Sequence, residues 1–319
     1  MSLPKTFISC DWGTSNFRLR VIDTSTLEVI KEFSSSEGVK EVYQNYIAQQ
    51  ELDKHTFYAN FLKEKLKEVT DLAEKTIIVA SGMVSSSMGM YELDYTSMPF
   101  SSTGDELFSK MVTISEDLSL LIISGVKQGD NVMRGEEIQA LGLTAYLEGV
   151  EAGVLLLPGT HSKHLTFKEN TFHLFDTYMT GEMFDMLSKH SILSNSIAKG
   201  PLIENTEKAF REGVRKAMVE GVSKNLFKVR AKSLLENRDK VESYYYLSGL
   251  LIGDELSYLK EQDQKVVVAA SGLLNCLYQM ALEEVIHDRE RLLFFDENIL
   301  EKALLTGQKK ILEQQHECV

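Results

Sequence analysis

The sequence predicts an α/β protein folded in two lobes, on three observations. The chain has 319 residues, more than the roughly 250 to 300 at which a single hydrophobic core stops growing. Apolar runs of strand length alternate with stretches of helical period through most of it. A unit of strand, small polar turn and strand at the N-terminus recurs in outline from residue 153. The lobes are expected to divide near Gly129, giving residues 1–129 and residues 130–319.

Residues 7–10, 17–22 and 27–33 read as strands, parted by the turn-forming segments 11–16 and 23–26. Phe57, Phe61, Leu62, Leu66, Val69 and Leu72 recur at helical spacing, and residues 76–80 and 120–124 are buried-strand candidates, the first closed by Ser81-Gly82. Glu136 and Glu137 open a helix over 136–147, with Ile138, Leu141 and Ala145 on one face, since carboxylates suit a helix N-terminus. Residues 153–157 form a strand that runs into Pro158-Gly159-Thr160-His161-Ser162-Lys163, with further strands over 164–167 and 171–178. The rest is mainly helical, over 181–190, 204–216, 219–235 and 241–259, until a strand at 265–270 enters Ser271-Gly272. Leu273, Leu277, Met280 and Val285 then stripe a helix, followed by a strand over 291–295 and a helix over 297–312. Gly249 and Gly253, four apart, predict close helix packing.

Composition narrows the function classes. Lys and Arg number 34 against 47 Asp and Glu, a formal net charge of -13, so the surface field repels nucleic acid and anionic membranes. No apolar run reaches the roughly 18 residues that would span a bilayer, and no h-region follows Met1, so a cytoplasmic protein with small-molecule partners is expected. Cys10, Cys276 and Cys318 are far apart and form no CxxC pair, which reads as structural thiols in a reducing compartment. His161 and His164 lack a third ligand close in sequence and read as solvated or structural.

Neither GxxxxGK[ST] nor GxGxxG occurs, so a nucleotide enzyme would need other loops. Asp11-Trp12-Gly13-Thr14-Ser15-Asn16 offers one: a carboxylate leaving a strand, a glycine that lets backbone approach phosphate, and three small donors. Taken alone it also reads as a plain hairpin turn. Gly159 and Thr160, with Lys163 close by, repeat the pattern and together make a phosphate clamp. Gly272 follows a strand where adenosine could lie against backbone, or where the chain merely turns into a helix.

Asp11-Trp12-Gly13-Thr14-Ser15-Asn16-Phe17-Arg18, then Asn131-Val132-Met133-Arg134-Gly135-Glu136-Glu137, then residues 158–163 and Met179-Thr180-Gly181-Glu182 resemble successive motifs of the 2-dehydro-3-deoxygalactonokinases, in order and in spacing. The resemblance covers nearly the whole chain. It implies the actin-like ATPase fold, two ribonuclease-H-like lobes around a central nucleotide cleft. It also implies transfer of the γ-phosphate of ATP, with Mg²⁺, to the 6-hydroxyl of 2-dehydro-3-deoxy-D-galactonate in galactonate catabolism.

On this resemblance Asp11 orients Mg²⁺, directly or through water, while Gly13, Thr14, Ser15 and Asn16 hold the phosphates. Gly159, Thr160 and Lys163 contact the phosphates from the second lobe, and Gly272 contacts the adenosine. Glu136 is the expected general base, with Asp130 and Glu137 as the competing carboxylates; both glutamates of the pair could instead only complement the helix dipole. Arg18 and Arg134 are candidates to grip the substrate carboxylate, or to form ion pairs. Ser86 and Glu137 complete the expected sugar-acid pocket. The chain departs from the family pattern at Ser162, where Cys is familiar, at Asp176, where Arg occurs, and at Ser85, which replaces Gly. Two alternatives therefore stay open: another sugar or sugar acid as acceptor, and a nonenzymatic actin-like ATP-binding module. The sequence is compatible with a homo-oligomer.

Overall fold

The structure, a computed structural model, describes residues 3–49, 51–70 and 75–317; Leu72 and Cys318 lie outside the described residues. It contains two compact units, one formed by residues up to 151, 167–174 and those from 298 on, the other by residues 152–166 and 175–297.

The first unit begins with β1 (Thr6–Trp12), β2 (Phe17–Asp23) and β3 (Val29–Ser35), an antiparallel meander. Two helices follow, α1 (Val39–Ala48) and α2 (Lys54–Leu66); Asp53 caps α2 by accepting from the Thr56 amide at 3.1 Å. Next come β4 (Thr76–Gly82), the short β5 (Thr96–Ser97) and β6 (Phe100–Ser101), then β7 (Ser109–Ser115) and β8 (Leu118–Ile123). β9 (Val126–Gln128) and β10 (Asn131–Met133) form a hairpin, and α3 (Glu136–Leu143) follows. The main sheet has the order β3-β2-β1-β4-β8-β7, with β1, β4 and β8 parallel. β4 is buried along Ile78 to Gly82, as a central parallel strand must be. Trp12 anchors the core, its ring 4.8 Å from Phe17 and 5.2 Å from Phe61.

The second unit takes β11 (Ala152–Leu157), β12 (Ser162–Lys168) up to residue 166, β13 (Thr171–Tyr178) from residue 175 and α4 (Thr180–His190), then α5 (Glu204–Glu220), α6 (Val222–Leu235) and α7 (Lys240–Leu256). β14 (Lys265–Ala269), α8 (Gly272–Val285) and β15 (Leu292–Phe295) complete it. The strands are ordered β15-β14-β11-β12-β13, the order of β8-β4-β1-β2-β3 in the first unit. The repeat read in the sequence is thus a repeat of topology, and the two polar turns occupy equivalent places. As expected from its sequence, α7 packs closely: a Cβ on Gly249 would lie 2.1 Å from the Phe210 carbonyl oxygen of α5.

The units do not part at Gly129. Residues 130–151 stay with the first unit, and so does α9 (Glu297–Glu317) from residue 298 on. The reason is backbone contact. A Cβ on Gly142 of α3 would fall 1.7 Å from the Ala303 carbonyl oxygen, and one on Gly307 would fall 2.2 Å from that of Ile138. Gln308, fully buried, donates to the Cys10 carbonyl at 3.3 Å and to the Ser81 hydroxyl at 3.0 Å.

Candidate functional site

In the first unit the register pairs Asp11 with Arg18 and Trp12 with Phe17, leaving residues 13–16 as the hairpin turn. The first amides of α1 hold this turn, Val39 donating to Gly13 O at 3.0 Å and Lys40 to Thr14 O at 3.2 Å. In a trans peptide the following N–H points opposite the carbonyl, so the Thr14 and Ser15 amides face away from α1. Thr14, Ser15 and Asn16 are exposed. A polar cavity of about 510 Å³ is lined by Asp11, Gly13, Asn16, Arg18 and Ser34 to Ser36.

Burial pushes the Asp11 carboxyl above its ordinary value; Arg18 and Arg20 pull it back and Glu136 pushes it further up. Glu136 thus lies within electrostatic reach of Asp11. Two glycines with positive φ make the approach: a Cβ on Gly82 would sit 2.7 Å from Trp12 O, and one on Gly135 would sit 3.4 Å from the Gly82 Cα. The ends of β1 and β4 and the start of α3 therefore converge. Glu136 accepts from the Arg134 amide at 3.0 Å. Asp130 instead occupies the exposed tip of the β9–β10 hairpin.

Three expected ligand contacts in this unit have other partners. Glu137 is completely buried and accepts from the Gly135 amide with both oxygens at 2.9 and 2.7 Å, which ties it to the loop before α3. Burial first, and Glu136 second, push its carboxyl up to about 8. The Ser86 hydroxyl donates to Met83 O at 2.7 Å, so its proton is spent within its own turn. Arg134 donates to the Ser85 carbonyl and hydroxyl, both at 2.6 Å, and stacks 4.2 Å over the Tyr95 ring, which makes it a brace between loops. Arg18 lines the cavity and pairs with Glu301 at 3.0 Å.

In the second unit the β11–β12 turn exposes Thr160. The start of α4 closes on it: a Cβ on Gly181 would lie 2.5 Å from Gly159 O, and the Glu182 amide donates to Thr160 O at 3.0 Å. The His161 imidazole bonds the Glu182 carboxylate. Lys163, expected to face phosphate, is buried on β12 and donates to His161 O at 3.0 Å, bracing the turn from within. Beside the turn is a cavity of about 230 Å³ lined by Gly159, Gly181, Phe184, Lys199, Tyr244 and Leu274, among others. Gly272 opens α8 with φ 53°, immediately before the wall residues Leu273 and Leu274. Phe184, Lys199 and Tyr244 escaped sequence reasoning because nothing but the fold brings them together. Among the described residues, no group of three or more His, Cys, Asp or Glu is placed to hold a metal ion, and no helix is long and apolar enough to cross a membrane. Of the thiols, Cys10 is buried and Cys276 exposed, and both are free.

The family model described as 2-keto-3-deoxy-galactonokinase matches residues 11–304. The chain is 32% identical over 287 residues to the Rhizobium meliloti (strain 1021) protein named probable 2-dehydro-3-deoxygalactonokinase, covering 87% of this chain and 89% of that one. It is 29% identical, with the same coverage, to the 2-dehydro-3-deoxygalactonokinase of Escherichia coli (strain K12). Among solved structures, a Sinorhizobium meliloti protein described under the same kinase name superposes with a TM-score of 0.78 at 29% identity, over 95% of this chain and 96% of that one. A more distant likeness, of fold alone, is to the Acidaminococcus fermentans (R)-2-hydroxyglutaryl-CoA dehydratase component A, with a TM-score of 0.50 at 11% identity over 98% of this chain and 100% of that one.

Proposed function

The chain belongs to the 2-keto-3-deoxy-galactonokinase family, and from that premise we propose how its own residues carry out phosphoryl transfer to 2-dehydro-3-deoxy-D-galactonate. The fold is that of the actin-like ATPases and sugar kinases. The protein is a phosphotransferase with an alcohol acceptor and uses ATP as its donor.

The observation that carries the residue assignment is the convergence of Asp11, Gly82 and Glu136 at the ends of β1 and β4. Glu136 takes the proton of the 6-hydroxyl as its oxygen bonds to the γ-phosphorus, and the bond to ADP breaks. In the first unit the outward amides of Thr14 and Ser15 and their hydroxyls bind phosphate oxygens; in the second unit the turn at Gly159 and Thr160 offers phosphate contacts of the same kind. The 230 Å³ cavity, with apolar walls from Phe184, Tyr244 and Leu274, takes the adenosine. Arg18 grips the substrate carboxylate from the polar cavity, with Arg134 keeping Ser85 and the helix start in place.

Asp11 is the carboxylate suited to Mg²⁺, which binds through one or two carboxylates together with phosphate oxygens and water rather than through an all-protein cage. When bound, the ion neutralises charge on the phosphates, which matters in a chain of net charge -13.

ADP release with Mg-ATP across a panel of 2-keto-3-deoxy sugar acids tests the reading. Turnover greatest on 2-dehydro-3-deoxy-D-galactonate is expected. No turnover on any member would overturn it.

A further inference from the structure

Beneath the second turn lies a connected set of buried polar side chains to which phosphoryl transfer, as described, gives no role. Glu255, on α7 and 2% exposed, stands at its centre. The Tyr278 hydroxyl donates to its two oxygens at 2.8 and 2.9 Å, the His164 Nε2 lies 2.8 Å from Oε1, and the Thr180 hydroxyl donates to Oε2. Because the Tyr278 proton goes to Glu255, its oxygen accepts from the Ser162 hydroxyl at 3.0 Å. Ser162 in turn accepts from the Gly159 amide at 3.4 Å. On the far side the Tyr258 hydroxyl lies 2.7 Å from His164 Nδ1, which completes a consistent order with the imidazole proton on Nε2.

A buried carboxylate is costly unless it is well hydrogen-bonded, so conformers that strand one of these donors are disfavoured. The network ends at two places: the turn of residues 159–162, and Thr180 at the first position of α4. Both segments border the cavity, through Gly159 and Thr180, and Tyr278 of the network lines it as well.

We propose that Glu255 is a positioning residue for ATP, setting the 159–162 turn through Tyr278 and Ser162 and the start of α4 through Thr180. The proposal rests on the reading that ATP occupies this turn and cavity. One anion orients the hydroxyls on both sides, so the two segments are set together rather than separately.

The test is steady-state kinetics in both substrates, with melting temperatures, on Glu255→Gln, Tyr278→Phe, Ser162→Ala and the Ser162→Ala/Tyr278→Phe double variant. Glu255→Gln and Tyr278→Phe should raise KM for ATP about tenfold and leave KM for the sugar acid within about twofold. The double variant should be no worse than Tyr278→Phe, since both changes cut one link. If Glu255→Gln fails to fold, the two hydroxyl deletions still decide the matter. Unchanged KM for ATP in both hydroxyl variants overturns the proposal, as do additive effects, or equal rises in both KM values that track a lost melting temperature. Tyr244→Ala separates the two ideas: if this cavity-wall variant folds and keeps its KM for ATP, the cavity reading itself fails. If it loses ATP affinity while the network variants do not, only the role of Glu255 fails.

Discussion

Glu136, at the start of α3, pushes up the carboxyl of Asp11 at the end of β1, and removal of each should have a different signature. Glu136→Gln should lower kcat by about 10² to 10⁴ while KM for ATP changes little, because a general base acts on the hydroxyl proton and not on nucleotide binding. A coupled ADP-release assay reads both. Asp11→Asn should instead weaken the dependence of rate on Mg²⁺, read by titrating the metal at fixed ATP; full Mg-ATP turnover in that variant would remove Asp11 from the metal site. Glu137 yields a prediction about stability. Its carboxyl stays protonated in the folded chain up to pH about 8, against an ordinary value of 4.5, so the folded state holds an extra proton between those values. Stability therefore falls as pH rises through that window. Glu137→Gln should remove that loss, a gain on the order of a few kcal/mol over the wild type at pH 9 and little at pH 4, measured by urea unfolding. The placement of residues 13–16 in a turn after β1 and of Glu136 at the start of α3 was legible in the sequence. Ser86, Lys163 and Glu137 were not, because a residue type states what a side chain can bond and not which neighbour the fold supplies.

Helices and strands were legible where the apolar period was strong, and α5, α7 and β4 fall close to their expected bounds. α1 was missed because only Val39 and Val42 of its ten residues are buried, too thin a stripe to register as periodic. β7 was missed because it is a largely exposed strand paired only with β8. The close approach of α3 to α9 was likewise invisible, since a lone glycine in a helical stretch does not announce its partner. It does predict a cost: Gly142→Ala places a methyl 1.7 Å from the Ala303 carbonyl oxygen and should destabilise the fold by about 1–3 kcal/mol or more. Thermal denaturation would show it, and a melting temperature equal to the wild type would mean that α9 can shift at no expense.

At the scale of the whole chain, the repeat of strand, polar turn and strand was legible because both copies use the same kinds of residue. The division between units was not, because α9 rejoins the first unit after the chain has run through residues 152–297, most of which form the second unit. A chain ending at Glu297 should lose hydrogen-exchange protection across β1, β4 and α3, where α9 supplies Ala303, Leu305 and Ile311 to the core, and keep it across β11 and β14. Retained protection in β1 would show that α9 is dispensable.

The return of α9 also orders events on the ribosome, where chains emerge N-terminus first. Residues 1–151 are made before the second unit yet wait for a helix made after it, and the bond from Gln308 to Cys10 closes some three hundred residues of synthesis after Cys10 leaves the peptidyl-transferase centre. The second unit has all its residues by position 297. Of the two units, the one whose synthesis starts first is therefore the one whose core is completed second.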